Sequence, residues 1–151
     1  LARWLRVLGF DTAYERRISD EELIRACLAE QRIALTRDRR LVKRRKIRSR
    51  SLLLEQDSLS EQIREVLQRM DLRIGPGDLF SRCLECNSGL EEIPKARIRD
   101  RVPPYVYRTQ EHFCICPSCK KIYWAGTHRP RMLMKVQPLL EEFSCSEPSN
   151  R

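Results

Sequence analysis

Two C-x-x-C pairs, Cys83/Cys86 and Cys116/Cys119, carry the clearest chemistry in the chain. Each pair can turn two thiolates onto one ion, and a tetrahedral Zn²⁺ takes four such ligands. The 29 residues between the pairs leave room for strands that bring the second pair back to the first. The spacing predicts a structural Zn²⁺ site, although an iron–sulfur cluster can use the same donors. Disulfides fit less well, because seven cysteines is an odd number and no secretory signal is seen ahead of them. A reducing, intracellular compartment is therefore expected. Cys27 falls in a helical pattern, Cys114 on an expected strand and Cys145 in a polar tail, so these three stand outside the clamp.

Two carboxylates form a second candidate group. Asp38 follows the apolar run Ile33–Thr36 by two residues, and Asp20 heads a helix after the segment Phe10–Tyr14. A parallel α/β sheet gathers its ligands in the loops after strand C-terminal ends. Carboxylates there suit Mg²⁺ or Mn²⁺, hard cations that take oxygen ligands and keep positions open for a phosphate. The plainer reading is that both aspartates are helix caps, with Glu21 and Glu22 as ordinary first-turn residues.

Cations crowd the same stretch. The chain has net charge +9, and residues 37–50 contain nine basic side chains and one acid. A polyanion is the natural partner for Arg37, Arg39, Arg40, Lys43, Arg44 and Arg45, because neutralised phosphates release counterions. A solvated loop or a localisation tag is the alternative. Hydrophobic residues make up 41% of the chain, enough for a core, and no apolar run approaches the ~20 residues of a membrane span.

The elements that must position these groups alternate. Leu1, Trp4, Leu5 and Leu8 repeat at helical spacing ahead of Gly9, a residue suited to a helix C-terminus. Phe10–Tyr14 reads as a strand. Ser19 and Glu22 make a capping box before a helix whose buried face is Leu23, Ile24, Cys27 and Leu28. Ile33–Thr36 reads as a strand, Asp38 caps a basic helix or turn, and Leu52–Leu54 is a further strand. Ser58 opens a helix with core positions Leu59, Ile63, Val66, Leu67 and Met70. The order predicts an α/β domain on a parallel sheet, and the first helix implies a strand before Leu1.

Ile74-Gly75-Pro76-Gly77 breaks this alternation. The expected domains are 1–76, the layered unit, and 77–143, a zinc ribbon at 81–126 with strands at Val106–Tyr107 and Ile122–Trp124 plus a terminal helix bent or interrupted at Pro138. Residues 144–151 are expected to be a disordered tail. Tyr105, Tyr107, Phe113, Tyr123 and Trp124 lie among basic residues, a mixture that can stack on bases or fill the ribbon core. His112 and His128 lack a second histidine at ligand spacing and read as packing residues.

The segments ARWLRVLGFDT, ISDEEL, IALTRDRRL, FSRCLECN, DRVPPYVY and CPSCKKIYWAGTH, in this order, resemble the Mut-seven C-terminal ribonuclease domain. The resemblance covers about residues 1–134. It implies a PIN-like nuclease fold carrying a zinc ribbon, with an acidic cluster around Mg²⁺ or Mn²⁺ as the catalytic centre and RNA as the substrate; with the stacking residues above, single-stranded RNA is the expected partner. Asp20 and Asp38 match that cluster, with Glu21 or Glu22 assisting. Family members begin with a strand ending in Asp just before the LARWLR helix, so the first strand and one carboxylate are expected upstream of Leu1. The family domain also follows separate 3′–5′ exonuclease domains, which implies a second reading: a non-catalytic nucleic-acid-binding module serving such a neighbour. A protein-interaction zinc module would require more metal ligands than these four cysteines.

Overall fold

The structure, a computed structural model, describes residues 1–75, 77–126 and 128–144. In chain order its elements are α1 (Ala2–Val7), α2 (Asp20–Ala29), β1 (Ala34–Thr36), β2 (Ser51–Leu53), α3 (Leu59–Arg69), β3 (Glu91–Glu92), α4 (Pro104–Thr109), β4 (Phe113–Ile115), β5 (Ile122–Trp124) and α5 (His128–Phe143). The chain is thus mixed α/β, and it divides into two compact units.

The first unit holds Leu1 and Tyr14–Leu72. Ser19 starts α2 through the expected capping box: its side chain accepts from the Glu22 N–H, and the Glu22 carboxylate accepts from the Ser19 N–H at 2.9 Å. Ser58 caps α3 by accepting from the Glu61 N–H at 3.3 Å, without the reciprocal backbone arm of a capping box. The strands β1 and β2 pair in parallel, with Ala34, Leu35 and Thr36 opposite Ser51, Leu52 and Leu53. The connection between them is not a helix. It forms two 3₁₀ turns, Leu41–Lys43 and Arg48–Arg50. Leu41 and Ile47 anchor it in a buried cluster with Ile24, Cys27 and Ala34. Lys43, Arg44, Arg45 and Lys46 lie between these two anchors and face solvent.

The second unit holds Ala2–Ala13 and Arg73–Arg151. The expected boundary grouped residues 1–76, whereas α1 belongs to the unit that contains the cysteines. Its helix α1 ends at Val7, and Gly9 in the turn that follows has φ of 92°. A Cβ at Gly9 would meet the Asp78 carbonyl oxygen at 2.5 Å, so both the conformation and the space require glycine. The antiparallel sheet β3–β4–β5 follows, with Cys114 opposite Tyr123. Ile98, Val102 and Phe113 form its core, backed by Ile93, Val106, Tyr107 and Ile122.

Several expectations are corrected. Residues 10–14 form no strand, because Thr12 uses its N–H on the Asn87 side chain and its carbonyl on Arg6, leaving no ladder to build. Val106–Tyr107 is helical within α4, where Pro104 at the first turn presets a helical φ. Leu28 is 44% exposed and Leu59 39%, so neither joins the core. α5 starts earlier than expected and continues through Pro138, which lacks the N–H that would serve the Met134 carbonyl. Ser144 bridges to Ile74, whereas the remainder of the expected tail, 145–151, lies outside the described residues.

Candidate functional site

The two C-x-x-C turns have one design. In each, the first cysteine accepts at its carbonyl from the residue after the second cysteine: Asn87 N–H to Cys83 at 2.9 Å and Lys120 N–H to Cys116 at 3.0 Å. The first cysteine also donates its N–H across the turn, Cys83 to Ser88 at 2.8 Å and Cys116 to Lys121 at 2.9 Å. This closure puts Asn87 and Lys120 in the left-handed region, with φ of 73° and 61°. Asparagine tolerates that conformation better than lysine does.

The four sulfur atoms lie within 4.8 Å of one another. Cys83 and Cys119 Sγ are 3.5 Å apart, and Cys86 and Cys116 Sγ 3.3 Å. A tetrahedron of ~2.3 Å Zn–S bonds has edges of about 3.8 Å, so the set fits a structural metal such as zinc with little adjustment. Four protein ligands close the coordination sphere, and such a site organises the chain instead of performing chemistry. Cys83 and Cys116 are buried, Cys86 and Cys119 exposed. The Ser88 backbone N–H, helped by the Ser88 hydroxyl and Cys116, holds the Cys86 thiol down at about 6. The Lys121 N–H pulls Cys119 the same way, but burial and the neighbouring thiols outweigh it and push Cys119 up to about 12. A bound dication would remove this conflict by favouring all four thiolates.

Two side chains without a motif signal support the turns. Arg6 is 5% exposed, and it donates to the carbonyls of Thr12 (2.8 Å), Leu84 (2.9 Å) and Glu85 (2.9 Å). It thereby ties α1 to the backbone of the first turn. The Tyr123 hydroxyl lies 3.1 Å from Cys83 Sγ and accepts from the Leu84 N–H at 3.2 Å. Burial, together with Cys83, raises its phenol above the ordinary range, so it stays protonated.

At the acidic group, Asp20 is the first residue of α2, and Asp38 lies two residues beyond the C-terminal end of β1. Asp38 Oδ1 accepts from the backbone N–H of Arg40 (2.6 Å) and Leu41 (3.2 Å), and Thr36 Oγ1 accepts from the Asp38 N–H at 3.0 Å. Asp38 therefore caps the 3₁₀ turn. Its carboxyl is held below the usual aspartate value, by the Arg40 N–H first and the Leu41 N–H next, with the charges of Arg40 and Arg44 adding to them. Arg44 bridges Asp20 at 2.8 Å and Glu21 at 3.1 Å. The cation shared by Asp20 and Glu21 is thus a guanidinium. A further carboxylate, Glu65 of α3, closes the loop after β2 by accepting from the N–H groups of Glu55 and Gln56 and from Arg69. Burial pushes Glu65 up, but these donors prevail and hold it low. Its i,i+4 pairing with Arg69 was the available sequence signal.

The six cations at 37–45 are exposed, and they are not equivalent. Arg37 pairs with Asp57, Arg39 approaches Glu55 at 3.9 Å and Arg44 holds Asp20. Lys43 and Arg45 make no ion pair among the described residues. Most of the aromatic set turns inward: Phe113 is core, Tyr107 packs on it and Tyr123 faces the cysteines. Tyr105, 70% exposed, and Trp124, 37% exposed, are left to solvent.

The model of one family, the Mut7-C RNAse domain, matches residues 1–136 of this chain. The chain belongs to that family. No curated protein and no solved structure matches it. Membership in the Mut7-C family makes this a nuclease-type module for nucleic acid, with a four-cysteine cluster that can hold a structural metal. No helix among the described residues is long and apolar enough to cross a membrane.

Proposed function

We propose that the domain is a divalent-metal-dependent ribonuclease that hydrolyses phosphodiester bonds of single-stranded RNA, with Asp20 and Asp38 as catalytic carboxylates on a PIN-like framework. The observation that carries this reading is the state of Asp38. It is a solvent-facing carboxylate kept ionised by backbone donors at the strand end where a parallel sheet gathers ligands. Mg²⁺ or Mn²⁺ at such oxygens supplies the charge that activates water and stabilises the leaving oxygen. Asp20 and Asp38 would offer the oxygens. Lys43, Arg45 and Arg40 would bind the phosphates flanking the scissile bond. Arg44 would exchange its exposed pairs with Asp20 and Glu21 for a phosphate, an inexpensive change because such surface pairs are weak.

The test is single-turnover cleavage of end-labelled RNA in Mn²⁺ by Asp20→Asn and Asp38→Asn, with binding measured in parallel. Each variant should lose cleavage by at least about 100-fold while keeping its affinity for RNA. Loss of binding with unchanged cleavage would overturn the assignment.

One observation favours the second reading, a nucleic-acid grip serving a separate 3′–5′ exonuclease domain. Asp20 is tied to Arg44, and among the described residues no three carboxylates come together as the four thiols do. That reading predicts RNA binding without cleavage under every divalent metal.

A further inference from the structure

We propose that the cysteine-containing unit carries its own site for single-stranded RNA, a groove of about 980 Å³ built by α1, residues 77–85, β5 and the start of α5. The inference rests on the reading of the domain as an RNA-acting module and locates a second contact surface on it. The volume is at the top of the ~300–1,000 Å³ range of small-molecule pockets, which suits a run of nucleotides better than one compact ligand.

The walls combine flat faces with positive charge. Trp4, Phe80 and Trp124 line the groove, and Arg129 and Lys135 project from α5 onto two of these rings. The Arg129 guanidinium lies 4.9 Å from the Phe80 ring centre, and Lys135 Nζ lies 5.8 Å from that of Trp4. A guanidinium already stacked on a ring presents a second planar face to a base. Trp124 is fixed by its own turn. Gly126 donates back to the Trp124 carbonyl at 2.9 Å, and a Cβ at Gly126 would meet the indole Nε1 at 3.0 Å. Phe80 holds a left-handed backbone, with φ of 59°, an unusual conformation for a bulky residue; its N–H bonds the Val7 carbonyl at 2.8 Å.

The charge balance chooses the occupant. Six basic residues line the groove against two acids, Glu85 and Glu92, and Lys121 already neutralises Glu85 at 2.8 Å. Arg3 and Arg131 are exposed on the rim. A basic rim around stacking faces matches a polyanion whose bases are unpaired, because duplex bases cannot reach an aromatic face.

The experiment measures binding of a fluorescent single-stranded oligouridylate by fluorescence anisotropy, with all proteins zinc-loaded and carrying Asp38→Asn so that the probe stays intact. Trp124→Ala should weaken binding about tenfold through lost stacking. Arg131→Glu should weaken it and flatten its salt dependence. It also decides the matter if Trp124→Ala loses its zinc, since Arg131 is solvent-facing and remote from the core. The comparison protein carries Lys43→Glu and Arg45→Glu. If both groove variants bind as the parent does while the Lys43/Arg45 variant fails, the groove is overturned and the ribonuclease reading stands. Groove-dependent binding, with no cleavage of the same RNA in Mn²⁺ by the chain that keeps Asp38, would overturn the ribonuclease reading alone. Absence of binding by the parent would overturn both.

Discussion

Arg44 donates from Nη2 to Asp20 Oδ2 at 2.8 Å, joining the basic turn after β1 to the first residue of α2. The same guanidinium reaches Glu21 and is the largest cause of that carboxyl lying below its ordinary value of 4.5. In Arg44→Ala the Glu21 midpoint should therefore rise toward 4.5, as read by carboxyl-carbon NMR titration. A midpoint that does not move would mean that Arg44 spends its time in solvent.

Asp38 responds to pH for a different reason. Its carboxyl is lowered from 3.8 chiefly by the backbone N–H groups of Arg40 and Leu41, so the lowered midpoint should survive in Arg40→Ala. Because the folded value lies below the unfolded one, the ionised cap stabilises the turn above pH 3.8 and is lost as pH falls through the lowered value. The protection factor of the Leu41 amide, its exchange rate set against the intrinsic rate at each pH, should fall in that window. A protection factor equal on both sides of it would remove Asp38 as the cap.

Arg6 sits where a single substitution separates packing from hydrogen bonding. Arg6→Met keeps much of the volume but leaves the Leu84, Glu85 and Thr12 carbonyls without their donor. Thermal or urea unfolding should show a loss of about 2–3 kcal/mol, with weaker zinc retention because the first cysteine turn is no longer braced. Unchanged stability would show that water serves these carbonyls equally well.

Cys83→Ser should release the metal and unfold the segment 81–126, whose small core of Ile98, Val102 and Phe113 cannot close without the paired turns. Zinc content by atomic emission, together with the dispersion of amide NMR signals from that segment, measures both. A variant with native zinc content would contradict the four-cysteine site.

What was legible in the sequence follows from how local each signal is. The capping box of Ser19 and Glu22 and the paired C-x-x-C turns are defined by residues three apart, and both form as the spacing implies. The segment Phe10–Tyr14 has strand-like residues, yet its backbone groups are claimed by Asn87 and Arg6, 75 and 6 residues away from Thr12, and no periodicity reveals such claims. Val106 and Tyr107 have strand-forming side chains, but the preceding Pro103-Pro104 starts a helix in which one side of each faces the ribbon core. The role of Arg6 was hidden for a similar reason. A basic residue inside LARWLR reads as a solvated helix position until the remote carbonyls that bury it are known.

The central claim is metal-dependent RNA cleavage at the edge that carries Asp38. The most direct measurement is cleavage of labelled single-stranded RNA in Mn²⁺ by this chain and by one extended upstream by about thirty residues, enough for a strand and its approach. Cleavage by the longer chain, lost in its Asp38→Asn variant while RNA binding persists, is the predicted result. Binding by both chains with cleavage by neither would contradict the ribonuclease and leave a nucleic-acid grip.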